Sequence, residues 1–393
     1  MKQRDDAGRL AYIDGLRAVA VLMVMFFHAR VHSPGVTLDP FFKEGTHGVD
    51  LFFVLSGFCL AAPTLDKLRR AGVAQFDVVA FAAKRFLRIF PPYAFAVLAI
   101  AFAGSYALQH GATLPPGMLH TFDWTDVAGE LFFLDRNNQH LNQSFWSLAI
   151  EFRWYFIFPI MLGLWVARAR AFLALIVALV FASELTRASS TDVGVLPAFL
   201  LGIVAAHVRV HDHPAARWAP MLGIFAVGAG LLLERGYHFP IQTNVGWHLA
   251  AFAFVVAAGR EAWLQRILSM RPLAALGVAS YSIYLVHEPI VSAIVGTLGA
   301  RIGIVPAMAV AIAAGLAAGI AMWAVIERPI TDRTVVKTFV ARAAAPIGRL
   351  LALAGVPVEF TLHGVAAPAT AFAGQVVELH PATPLPTTLR RSS

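Results

Sequence analysis

The chain has 393 residues, of which 58% are hydrophobic and only 14% charged, with a mean hydropathy of +0.68. A soluble domain cannot hide that much apolar surface, so the composition excludes a water-soluble globular protein and implies an all-α polytopic membrane bundle. The net charge of +8 then reports cytoplasmic loops, not nucleic-acid binding, and a single cysteine, Cys59, excludes disulfides and cysteine-based metal sites as organising features.

In chain order, Lys2, Arg4 and Arg9 precede the first apolar run without a small-residue cleavage site, which reads as a signal anchor. Runs long enough to span a bilayer are predicted at about 16–34, 47–64, 89–108, 145–165, 170–186, 193–209, 217–233, 245–259, 272–296 and 304–326, about ten in all. Those at 170–186, 217–233 and 245–259 are the weakest. One set of connections carries Lys67, Arg69, Arg70, Lys84, Arg85, Arg88, Arg168, Arg170, Arg209, Arg217, Arg260, Arg266 and Arg271. The alternate set holds only Lys43, Arg136, Arg187, Arg235 and Arg301, with Arg30 at the end of the first span. The basic set belongs in the cytoplasm, which puts both termini inside. No internal repeat is visible.

The connection at about 109–144 is rich in Asn, Gln, His and Asp and reads either as a polar-acceptor loop or as an ordinary one. Residues 1–330 form the predicted transmembrane domain and 331–393 a cytoplasmic tail. The tail begins with a basic, partly amphipathic segment that Pro346 interrupts. Its last stretch, rich in Ala, Pro and Thr, is expected to be disordered.

Ionisable groups inside spans are expensive, so each is a functional candidate. In LRAVAVLMVMFFHA, Arg17 and His28 are eleven positions apart and share one helical stripe. At about 1.5 Å per residue the stripe runs roughly 16 Å, from the membrane surface to mid-depth. His28 reads as a general base or as an interhelical hydrogen-bond partner. In SFWSLAIEFRWYFIFP, Ser144, Ser147, Glu151 and Tyr155 form one polar stripe, with Glu151 at a depth similar to that of His28. A Glu151–Arg153 ion pair serving packing is the other reading of the acid. In HGVDLFFVLSGF, His47 and Asp50 lie near the outer end, and Gly57 reads as a close-packing position. In KRFLRIFPPY, Arg85 and Arg88 share a face suited to clamping phosphates. In SYSIYLVHEP, Ser280, Tyr284 and His287 line one face ahead of a kink at Pro289.

Taken together and in this order, with YIDGLRAVAVLMVMFFH at the start and ERPI at the end, these stretches resemble the acyltransferase-3 family from about Tyr12 to Pro329. The family comprises integral-membrane acyltransferases that modify bacterial surface sugars and some secondary metabolites. The resemblance implies a multi-pass protein of the bacterial inner membrane. It implies acyl-CoA as co-substrate, no bound cofactor or metal, and a hydroxyl acceptor on a carbohydrate or glycolipid presented among membrane lipids. It maps an arginine–histidine element onto Arg17 and His28, an arginine pair onto Arg85 and Arg88, and a serine–glutamate element onto Ser147 and Glu151. Phe152 and Arg153 depart from the acid or amide common after that glutamate. The expected roles are His28 as base, Glu151 orienting it, and Arg17, Arg85 and Arg88 binding the donor. Asp50, Ser147, Tyr155, Tyr284 and His287 are supporting candidates. A proton-coupled transporter is the alternative that mid-depth His and Glu also suit, with the lack of repeat symmetry against it.

Overall fold

The structure, a computed structural model, describes residues 10–33, 42–111, 124–134, 141–186, 191–236, 245–355, 358–363 and 376–380. Arg136, Arg187 and half of the polar connection at 109–144 lie outside these residues.

The apolar runs become helices because each backbone N–H and C=O must find its partner within the segment once water is absent. They are α1 (Ala11–Val31), α2 (Gly48–Ala71), α3 (Val78–Gln109), α4 (Trp124–Leu131), α5 (Phe145–Ala167), α6 (Ala169–Thr186), α7 (Thr191–Val210), α8 (Ala219–Gly236) and α9 (Val245–Arg260). After these come α10 (Ala262–Leu268), α11 (Arg271–Val278), α12 (Ser280–Ile302), α13 (Ile304–Met322), α14 (Arg333–Phe339) and α15 (Ala345–Leu353). Among the described residues, eight helical stretches are long and apolar enough to cross a membrane. The predicted runs at 170–186 and 245–259 correspond to the shorter apolar stretches Ala169–Ser183 and Val245–Arg260, below that length. The run predicted at 272–296 divides at Ala279, so that its spanning helix begins at Ser280. Large apolar side chains on outward faces, among them Phe102, Phe156, Ile224 and Phe225, are exposed. That is the surface a hydrocarbon solvent accepts and water does not.

Local chemistry sets the ends. Asp77 accepts the Ala80 N–H at 2.7 Å and starts α3 well before the apolar run itself begins. Gly72, at φ +70°, closes α2 in the left-handed conformation.

The core is built around α2, which packs on α1, α5, α7 and α9. Its crossing with α7 is glycine on glycine. A Cβ on Gly57 would strike the Phe199 carbonyl oxygen, and one on Gly202 would strike the carbonyl of Val54. The close-packing reading of Gly57 is what the structure shows. On the other side of α1, α12 and α13 form an antiparallel pair.

The tail departs from expectation twice. Pro346 does not interrupt it: α14 and α15 are joined without a break by the π-turn Val340–Ala344. The wider turn removes the four-back hydrogen bond that a proline would spoil. The stretch expected to be disordered contains two strands, β2 (Glu359–His363) and β3 (Val376–His380). They join β1 (Val73–Asp77) in an antiparallel sheet of order β1-β2-β3, with Phe76 opposite Phe360. EFTLH alternates apolar and polar side chains throughout, and VVELH does so from Val377 onward, a signal that the bulk composition of the tail obscures. The remainder of that stretch lies outside the described residues.

Candidate active site

A cavity of about 110 Å³ lies between α1, α2, α3, α5 and α12. Seven of the ten sequence candidates line it: Arg17, Arg85, Arg88, Ser147, Glu151, Tyr155 and Tyr284. Helical periodicity explains the convergence. Arg85 and Arg88 present one face of α3, Ser147, Glu151 and Tyr155 one stripe of α5, and Ser280 and Tyr284 one face of α12. The apolar walls come mainly from α2, with Phe52, Phe53, Leu55 and Leu60.

Within the cavity, the Glu151 carboxylate accepts hydrogen bonds from the Tyr155 hydroxyl at 2.7 Å and from the Ser56 hydroxyl. The three arginines are held differently. Arg17 pairs with Asp14 at 3.1 Å and donates to Cys59 Sγ at 3.3 Å. Arg88 pairs at 2.8 Å with Glu327, which is fully buried and also accepts from Ser282 Oγ at 2.6 Å. Arg85 lies over the Phe81 ring, 5.9 Å from its centroid, and its buried Nε has no hydrogen-bond partner among the described residues. A buried guanidinium N–H without an acceptor is costly, and an anion entering the cavity would satisfy it. At the opposite end Ser147 Oγ and Tyr284 Oη are 2.6 Å apart and both reach the Ser144 carbonyl, at 3.2 and 3.0 Å.

The other three candidates stand apart from the cavity lining. His28 is buried and faces His287, with Nδ1 of the first 3.0 Å from Nε2 of the second. The pair sits next to the cavity's Tyr284 end, since the Tyr284 and His287 rings are 5.7 Å apart and Tyr284 meets Phe52 edge-on at the same spacing. The expected contact between Glu151 and His28 is therefore replaced by two separate pairings: the acid goes to Ser56 and Tyr155, the imidazole to His287. Nor does Glu151 pair with Arg153, which reaches Asp192 at 2.6 Å on the exposed face of α5. Asp50 belongs to another buried cluster, 2.8 Å from His47 Nδ1 and 3.1 Å from His248 Nε2.

Three residues to which sequence reasoning assigns no role are paired here, Ser56, which it places only at depth in the second span, His248 and Glu327. Glu327 and His248 carried the signal that singled out His28, an ionisable group within or at the end of an apolar run. Ser56 carries no comparable charge, and only the α2–α5 packing makes it a partner of Glu151.

The acyltransferase-3 profile, described as an acyltransferase domain, matches residues 10–326. The O-acetyltransferase OatA of Staphylococcus aureus is 23% identical over 312 residues, covering 71% of this chain and 50% of its own length. The putative peptidoglycan O-acetyltransferase YrhL of Bacillus subtilis is 24% identical over 314 residues, covering 71% and 48%. The peptidoglycan O-acetyltransferase OatA of Listeria monocytogenes is 24% identical over 314 residues, covering 71% and 49%. The chain thus spans about half the length of these curated relatives, and no solved structure matches it. With a profile match across most of its length and the arginine, serine and glutamate elements meeting at one buried cavity, the chain belongs to the acyltransferase-3 family.

Proposed function

We propose that this protein is a membrane O-acyltransferase that moves an acyl group, acetyl in the first instance, from acyl-CoA to a hydroxyl of a carbohydrate or glycolipid. The observation that carries the reading is a cavity whose arginines, one of them with an unsatisfied N–H, share a single space with the half-buried carboxylate of Glu151. Arg17, Arg85 and Arg88 meet the donor's phosphates as charge-assisted hydrogen-bond donors. The thioester then lies toward Ser147 and Tyr284, and the histidine pair lies beyond. His28 removes the proton from the acceptor hydroxyl as its oxygen attacks the thioester carbonyl. The C–S bond breaks, CoA leaves as the thiolate and takes up a proton, and the ester is formed. Glu151 balances the arginine charge and holds Ser56 and Tyr155 in place.

The relatives are named as O-acetyltransferases, two of them acting on peptidoglycan, which supports a carbohydrate-polymer or lipid-linked glycan acceptor at the outer side. The basic connections support a bacterial inner-membrane location with both termini and the arginine end in the cytoplasm, about ten spans, and a division between residues 1–330 and a tail at 331–393.

The test is release of free CoA from acetyl-CoA by the protein in nanodiscs, with a host glycan extract as acceptor. Wild type should release CoA only with the extract. His28→Ala should lose about 10²–10⁴ in rate. Arg85→Ala should raise KM for the donor. A folded protein that releases no CoA from any acyl-CoA would overturn the reading.

A further inference from the structure

We infer that His287 is a positioning residue that locks His28 into the single tautomer able to act as a base toward the acceptor. This rests on the acyl-transfer reading above and assigns the orienting role, which the sequence alone had given to Glu151, to a different residue.

The argument starts from the far side of the pair. His287 Nδ1 is 2.9 Å from the Tyr284 carbonyl oxygen and 3.2 Å from that of Ile283. Carbonyl oxygens only accept, so Nδ1 of His287 carries the proton. In the neutral ring its Nε2 then holds the lone pair. That lone pair faces His28 Nδ1 at 3.0 Å. Two lone pairs do not face each other at hydrogen-bond distance in a buried site, so Nδ1 of His28 is the donor. Neutral His28 is left with its lone pair on Nε2, away from His287, which is the nitrogen free to take a proton from a hydroxyl.

The geometry is rigidly supported. Both rings are buried, and the edge of Phe27 packs against His28. Gly315 of α13 packs on the pair's backbone, where an added Cβ would lie in ordinary contact with His287 at 3.6 Å and tight against Met25 Cε at 3.0 Å. Glu288, the next residue in the chain after His287, lies 3.3 Å through Oε1 from His32 Nε2. When His28 takes up the acceptor's proton at Nε2, its Nδ1–H continues to donate to His287. The new positive charge stays on the His28 ring, stabilised by the lone pair of His287 Nε2, while the carbonyls of Tyr284 and Ile283 hold the His287 Nδ1–H. The logic is that of a base held in register by a hydrogen-bonded partner, with an imidazole in the place usually taken by a carboxylate.

The experiment compares His287→Leu and His287→Gln with His28→Ala, all in nanodiscs, by steady-state CoA release from acetyl-CoA. It is coupled with ¹⁵N spectra of the histidine rings. Leu removes the acceptor for His28 Nδ1–H and should lower kcat by at least about 10-fold with KM for acetyl-CoA unchanged. Gln restores an acceptor oxygen and should recover most of the rate, which a purely packing role would not require. In the wild-type spectrum His28 should carry its proton on Nδ1. Folded His287→Leu turning over at the wild-type rate while His28→Ala is inactive would overturn this inference and leave the base assignment standing. His28→Ala turning over at the wild-type rate would overturn the base assignment itself. If His287→Leu fails to fold, the spectrum decides: a proton on Nε2 of wild-type His28 would refute the proposal.

Discussion

At the scale of single residues, Arg88 and Glu327 define the most exposed energetic risk in the site. Glu327 is fully buried, and its pairing with Arg88 at 2.8 Å compensates the cost of burying it. Removing one partner of a buried pair costs about 3–5 kcal/mol, whereas replacing both with well-packed apolar residues is often neutral. Glu327→Gln should therefore lower Tm in nanodiscs, and Glu327→Leu combined with Arg88→Met should restore Tm but not donor affinity. Recovery of a normal KM for acetyl-CoA in the double variant would show that Arg88 does not bind the donor. Glu151→Gln is a different case. It can keep an acceptor for the Ser56 and Tyr155 hydroxyls but loses the negative charge facing the arginines. Its Tm should change little while CoA release falls about 10²-fold, the lower range of a lost electrostatic or acid–base contribution.

At the scale of elements, the α2–α7 crossing depends on Gly57 and Gly202 sitting against each other's backbone. Gly57→Ala places a methyl on the Phe199 carbonyl and should cost about 1–3 kcal/mol, read as a drop in Tm. Gly163→Ala, where a Cβ meets nothing within 4 Å, serves as the control and should leave Tm unchanged. The tail strands offer a second test. Phe360 stacks on Phe76 at 5.1 Å, Phe76 meets Phe81 at a tilt with centroids 5.3 Å apart, and Phe81 lies beneath Arg85. Phe360→Asp should open the β1–β2 pairing and destabilise the sheet that follows α2, seen as increased protease cleavage between residues 355 and 393. Unchanged cleavage would mean that the strand pairing contributes nothing to the tail's order.

At the scale of the whole molecule, orientation follows from charge and is directly measurable. In a Cys59→Ser background, Arg70→Cys at the basic end of α2 and Gln109→Cys at the far end of α3 place single thiols at exposed positions. A membrane-impermeant thiol reagent should label Gln109→Cys in intact spheroplasts and Arg70→Cys only after lysis. The reverse pattern would place the arginine end of the cavity outside and deny it cytoplasmic acyl-CoA.

Much of this molecule was determined by sequence alone, for physical reasons that act locally. Apolar length specifies helices in a solvent without hydrogen bonds, lysine and arginine bias suggests their orientation, and helical periodicity aligned Ser147, Glu151 and Tyr155 before any neighbour was known. The same periodicity put Arg85 and Arg88 on one face, and the expense of burying charge singled out His28. What only the tertiary structure decided is lateral adjacency, because depth along a helix says nothing about which helix stands beside it. Glu151 and His28 were matched by depth, yet packing sends the acid to Ser56 on α2 and the imidazole to His287 on α12. Asp50 met His248 from a helix far along the chain. The tail strands lay hidden in an unpromising composition until β1 supplied the edge that made them strands.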